Sequence, residues 1–131
     1  MARARARIAA ARYRTDIRAG THELAADEGA ALGGLDSGPA PYELLLAALG
    51  ACTAMTLKMY AERKGWPLEA VEVDLAYHKA DDATRIDRQL SIEGPLDADQ
   101  RARLADIAER TPVTLTLKGG VAIVTHLQPS R

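Results

Sequence analysis

The sequence predicts one α+β domain over residues 1–131, with largely antiparallel pairing in the order β-β-β-α-β-β-α-β-β. Three observations carry this. The N-terminal third alternates between polar and apolar residues with a period of two. Residues 41–64 read as a helix with apolar side chains on almost every side as far as Leu57. Two further alternating segments and a second capped helix follow. A chain of 131 residues buries about two-thirds of its unfolded surface, enough for an independent core. With no Phe and one Trp, aliphatic side chains and Ala must fill it.

Arg3, Arg5 and Arg7 alternate with Ala4, Ala6 and Ile8, so residues 3–10 read as a strand. Residues 13–18 and 22–26 give the next two, joined by a turn at Ala19-Gly20. A glycine-rich loop ends in Gly38-Pro39-Ala40-Pro41, where Pro41 suits the first turn of a helix. Gly65 is placed to end that helix in the left-handed conformation, and Trp66-Pro67 prevents its continuation. The helix is expected to be buried all round through its first four turns, which one layer of sheet in a small domain cannot achieve. Val71, Val73, Leu75 and Tyr77 mark one strand of a hairpin, residues 79–84 its turn, and Ile86, Leu90 and Ile92 the return strand. The second helix has Asp97 as N-cap, Gln100 completing a capping box and Leu96 as staple. Residues 114–117 and 121–127 read as a last pair of strands turning at Lys118-Gly119-Gly120.

Composition narrows the function classes. A net charge of −1 gives no whole-protein footprint for nucleic acid, so no nucleic-acid partner is expected. The longest uncharged apolar run, residues 44–57, is short for a bilayer span of about 20 residues, so no membrane partner is expected. One cysteine excludes an intramolecular disulfide. The arginines Arg3, Arg5, Arg7, Arg12, Arg14 and Arg18 resemble a transit-peptide charge pattern, but alternation and the lack of Ser favour a strand. Without a secretory apolar segment, the expected location is the cytoplasm. His22, His78 and His126 lie on separate elements and no phosphate-cradling or dinucleotide glycine motif occurs, so neither a metal nor a cofactor is expected.

The remaining chemistry centres on Cys52, in Gly50-Ala51-Cys52-Thr53-Ala54. A lone cysteine in an apolar helix is commonly a small buried hydrophobe. A reactive thiol needs a cation or other stabiliser for its thiolate, and about three turns into the helix the terminal dipole no longer reaches it. Leu45, Ala48, Leu49, Met55, Thr56 and Met59 share its helical face, a setting for core packing or for the alkyl part of a ligand.

The stretch from Gly38-Pro39-Ala40-Pro41-Tyr42-Glu43-Leu44 through Gly50-Ala51-Cys52-Thr53-Ala54-Met55-Thr56-Leu57 resembles the signature of the OsmC-like proteins, a superfamily that includes the organic hydroperoxide resistance proteins. The similarity extends to Gly20-Thr21-His22-Glu23, to Ile92-Glu93-Gly94-Pro95 and to the helix from Gln100 to Glu109. It implies an OsmC-like fold in which antiparallel sheets wrap long central helices in an intertwined homodimer. It also implies thiol-dependent reduction of hydroperoxides, with Cys52 as the peroxidatic residue. The chain departs from that pattern in informative places. Thr111 stands where a second, resolving cysteine would lie, and Tyr42 stands where the hydroperoxide-resistance proteins carry a catalytic Glu, with Glu43 beside it. Arg14 is the best match to the arginine that lowers the thiol pKa, ahead of Arg12 and Arg18. Two readings follow. One is a one-cysteine organic hydroperoxide reductase in oxidative-stress defence, using Cys52, Arg14 and Glu43 and an external thiol reductant. The other is a non-catalytic dimeric protein that binds an apolar small molecule while Cys52 only packs. A related thiol function such as redox sensing is a third.

Overall fold

A computed structural model describes residues 1–129 of the chain; the last two residues of the expected domain lie outside the described residues. The architecture is α+β with antiparallel sheets, as the alternation predicts. Strands β1 (Ala4–Ile8), β2 (Thr15–Ala19) and β3 (His22–Ala26) precede helix α1 (Pro41–Lys64), then come β4 (Ala70–Lys79), β5 (Thr84–Glu93), α2 (Ala98–Ala108) and α3 (Pro112–Gly119). The chain forms two compact units. The first holds Met1–Ala48 and Leu75–Asp87; the second holds Leu49–Asp74 and the chain from Arg88 onward.

In the first unit, β1, β2 and β3 make an antiparallel sheet in sequence order. Ala6 pairs with Ile17 and Ile17 with Leu24, giving one apolar face, while Arg5 pairs with Arg18 and Arg7 with Asp16 on the other. The β2–β3 turn is Gly20-Thr21, one residue later than expected, and Gly20 takes φ of +61°, which a glycine adopts without strain.

Asp27 organises the loop that leads into α1. Its Oδ1 accepts from the Tyr13 N–H at 3.0 Å and the Glu28 N–H at 2.7 Å. Its Oδ2 accepts from the Ser37 hydroxyl at 2.6 Å, the Ser37 N–H at 3.1 Å and the Leu35 N–H at 3.3 Å. The Ser37 hydroxyl and amide, with the Tyr13 and Glu28 amides, hold this carboxyl well below the usual carboxylate range although burial opposes them. Gly38 is required where the loop crosses β3, because a Cβ there would collide with the Ala25 carbonyl oxygen. A depressed pKa means that the unfolded chain binds the proton more readily. Asp27 therefore contributes stability that is complete above its unfolded pKa of about 3.9 and is lost as pH falls toward its folded value. Asp27→Asn is expected to lower the urea midpoint at pH 7, with the gap to wild type closing as the pH drops below about 3.9. Equal midpoints at pH 7 contradict this.

In the second unit, Leu57, Ala61, Leu68, Leu104 and Ala108 form the core, with Trp66, Leu90, Ile92, Leu96 and Ile107 packed on it. Helix α1 has the predicted limits, ending at Gly65 with φ of +69°. The Asp97–Gln100 capping box of α2 is present; Leu96 packs on the core and does not staple the helix, because the fourth helical residue is Arg101, whose guanidinium reaches the Ile92 and Gly94 carbonyls.

Two further expectations are corrected. The segment read as a strand over 114–117 is helix α3, with Thr111 extended at its N-cap and Pro112 in its first turn. The Thr-Leu alternation mimics a strand, but proline at that position is preorganised for helix. Residues 121–127 carry no regular secondary structure in the single chain. In the single chain, Leu49, Thr53, Leu57 and Ala61, four apart, form the one buried stripe of α1, while Met55 is 59% and Met59 60% exposed; burial on the other sides needs the cover from beyond the domain that the sequence calls for. By length and composition α1 is also apolar enough to cross a membrane, because it runs past Lys58 through Met59, Tyr60 and Ala61. Its buried stripe is nevertheless built into the core of the second unit.

Candidate functional site

Cys52 belongs to the second unit, on α1 beside the buried stripe. Its thiol is half-buried, and its Sγ lies 3.9 Å from Thr56 Oγ1, one turn further on. Among the described residues of that unit, no cation is hydrogen-bonded to the sulfur.

The cation that the sequence reading missed is Arg88. It donates from Nη1 to Thr53 Oγ1 at 3.0 Å and to Thr114 Oγ1 at 2.9 Å, and from Nη2 to the Ala108 carbonyl at 2.9 Å. Thr53 donates its own hydroxyl hydrogen bond to the Leu49 carbonyl at 2.7 Å. Thr111, which the sequence resemblance sets in the place of a resolving cysteine, is fully buried and shares a 2.6 Å hydrogen bond with Thr114. Glu109 approaches Arg88 at 3.9 Å, and Lys118 holds the Glu109 carboxyl below its ordinary range. The signal was available: Arg88 falls in phase with Ile86, Leu90 and Ile92, so a period of two places its guanidinium on the inward face of β5. A guanidinium only 12% exposed that makes three hydrogen bonds is costly to delete. Arg88→Met is expected to lower stability by about 2–4 kcal/mol, because it strands buried hydroxyl and carbonyl acceptors. A change within ~0.5 kcal/mol in urea unfolding contradicts this.

Arg14 and Glu43 belong to the first unit. Arg14 follows the Asp27-held Tyr13 amide, and its Nε lies 3.2 Å from Asp16 Oδ1 in an exposed ion pair. Arg18 approaches Glu23 at 3.9 Å, and Arg12 is exposed. Glu43 sits in the first turn of α1, where its Oε1 accepts from the Ala40 N–H at 2.9 Å. That bond satisfies an amide just before the helix, as the third-turn-residue half of a capping box does. Tyr42 stacks on Tyr77 with ring centroids 4.5 Å apart. Among the described residues, no three His, Cys, Asp or Glu side chains converge as metal ligands do.

Comparison with known proteins places this geometry in context. The family profile described as OsmC-like protein matches residues 34–126. No curated protein matches the sequence. Among solved structures, an OsmC-like protein from Mycoplasma pneumoniae superposes with a TM-score of 0.76 at 17% identity, covering 91% of this chain and 88% of that one. The organic hydroperoxide resistance protein OhrB of Bacillus subtilis gives a TM-score of 0.62 at 22% identity, covering 91% of each chain. A putative organic hydroperoxide resistance protein of Vibrio cholerae, with captopril bound in one of its active sites, gives 0.64 at 16%, covering 91% of this chain and 85% of that one. At these identities the likeness is one of fold.

Proposed function

Because the chain belongs to the OsmC-like family, we propose that it is a one-cysteine, thiol-dependent organic hydroperoxide reductase in oxidative-stress defence, acting in the cytoplasm as a homodimeric single-domain protein. The observation that carries this reading is Cys52, the one thiol of the sequence, half-buried in the single chain on an apolar helix beside Met55. Its thiolate attacks one peroxide oxygen and the O–O bond breaks. Cys52 becomes the sulfenic acid and the alkoxide leaves, taking a proton to become the alcohol. An external thiol then displaces water from the sulfenic acid to give a mixed disulfide, and a second thiol restores Cys52 and leaves as the disulfide product. Arg14 is assigned the cation that favours the thiolate. Its exposed pairing with Asp16 is worth about 0–1 kcal/mol and does not commit it elsewhere. Glu43, fixed by the Ala40 amide, is assigned the supporting carboxylate.

A second reading rests on a specific observation, the lack of a cation bonded to Cys52 among the described residues of its own unit. On that reading the dimer binds an apolar small molecule and Cys52 only packs; the captopril in the Vibrio cholerae structure shows small-molecule binding in that protein. Hydroperoxide consumption with alternative thiol reductants separates the two. Turnover by wild type that is lost in Cys52→Ser supports the reductase, and no turnover with any reductant supports the binding protein.

A further inference from the structure

The register of the first sheet gathers arginines on one face. Arg5 lies directly opposite Arg18, and Arg7 lies in the next row opposite Asp16. Like charges directly opposite one another destabilise a strand pair. Two carboxylates share this face, Asp16 at 3.2 Å from Arg14 and Glu23 at 3.9 Å from Arg18, too few to match Arg5, Arg7 and Arg18 even with Arg14 left aside. Among the described residues, Arg3, Arg5 and Arg7 have no carboxylate partner. Protection of an edge strand explains charges on β1. It does not explain Arg18, which sits on the central strand and faces Arg5.

The same face is concave. An open cleft of ≈470 Å³ is lined by Arg5, Arg7, Arg14 and Arg18 together with Asp16 and Glu23. A neighbouring depression of ≈640 Å³ shares Arg5 and Arg18 and adds Arg3. A guanidinium offers a planar fork of donors that matches two oxygens of one phosphate group. Along β1, Arg3 to Arg7 span about 13 Å, so the cations address a row of anionic groups rather than a single ion. No aromatic side chain lines either depression, which leaves nucleobases nothing to stack on.

We propose that this basic face of the β1–β2–β3 sheet binds an extended, soluble ligand carrying several phosphate groups. The test uses the full chain and tripolyphosphate as probe. Calorimetric titration at low ionic strength is expected to give saturable binding that weakens as salt rises. The Arg5→Gln/Arg7→Gln double variant is expected to bind at least ~10-fold more weakly, while Arg63→Gln/Lys64→Gln, the same charge change at the end of α1, binds as wild type does. Should the double variant lose its fold, amide NMR on the wild type decides, with probe-induced shifts confined to β1, β2 and the Gly20 turn. No saturable binding, equal affinity in the folded double variant, or shifts centred elsewhere overturns the proposal. So does binding of duplex DNA or anionic vesicles that tripolyphosphate neither reproduces nor displaces.

Discussion

Replacing Cys52 by Ala or Ser is expected to abolish hydroperoxide turnover while leaving the chain folded, since no other thiol is present to take over the attack on oxygen. The two variants differ in cost. Serine brings a hydroxyl into an apolar, half-buried position whose neighbouring hydroxyl, on Thr56, lies 3.9 Å from the present sulfur. A poorly paired hydroxyl costs roughly 1–3 kcal/mol, so Cys52→Ala is the better stability control. Peroxide assays run beside urea unfolding check both halves of the expectation. Turnover at the wild-type rate in both variants removes Cys52 from the mechanism.

The second large effect concerns association. In the single chain Met55 and Met59 of α1 are more than half exposed, and so is Leu115 of α3. The C-terminal segment adds Ile123 at 88% and Leu127 at 98%. Apolar side chains left uncovered on this scale mark an association surface, and the obligate homodimer proposed above would cover them with a second copy. Equilibrium sedimentation at micromolar concentration is expected to give one species of twice the 14.0 kDa chain mass. Dilution is expected to unfold the chain as it dissociates, because obligate dimers lack a stable monomer. A folded 14.0 kDa monomer under these conditions contradicts the account.

What the sequence made legible follows from how local each signal is. The limits of α1 are set by Pro41 and Gly65, and the start of α2 by Asp97 and Gln100; each is a backbone requirement met within a few residues. The strand β1 is legible because Arg and Ala alternate. Helix α3 was not, since Thr114 and Thr116 alternate with Leu115 and Leu117, and a period of two outweighed the proline that opens the helix. Burial on every side of α1 follows from an apolar circumference that its own domain cannot cover. A single chain has too little other surface to supply that burial, and one stripe is what its own core covers. At the site, Cys52 stood out as the one thiol, and Glu43 as an acid in the first turn. Arg88 was overlooked because the inward face of β5 was read through its aliphatic residues alone. The identity of its partners, Thr53, Thr114 and the Ala108 carbonyl, depends on contacts between positions 20 to 35 residues apart, which no local pattern encodes.

Thr111 makes the central claim directly measurable. It is buried and hydrogen-bonded to Thr114, and a hydroxyl there cannot resolve a sulfenic acid. An intrachain disulfide is excluded by the single cysteine, and a bond between two copies of Cys52 needs their Cα atoms within about 7 Å. Intact-mass spectrometry after one equivalent of an organic hydroperoxide therefore reads the first chemical step. The account predicts a gain of ~16 Da confined to Cys52, converted to a mixed disulfide by a small thiol and driven to gains of ~32 and ~48 Da by excess peroxide. An unchanged mass, with Cys52 unreactive in the folded protein, contradicts it.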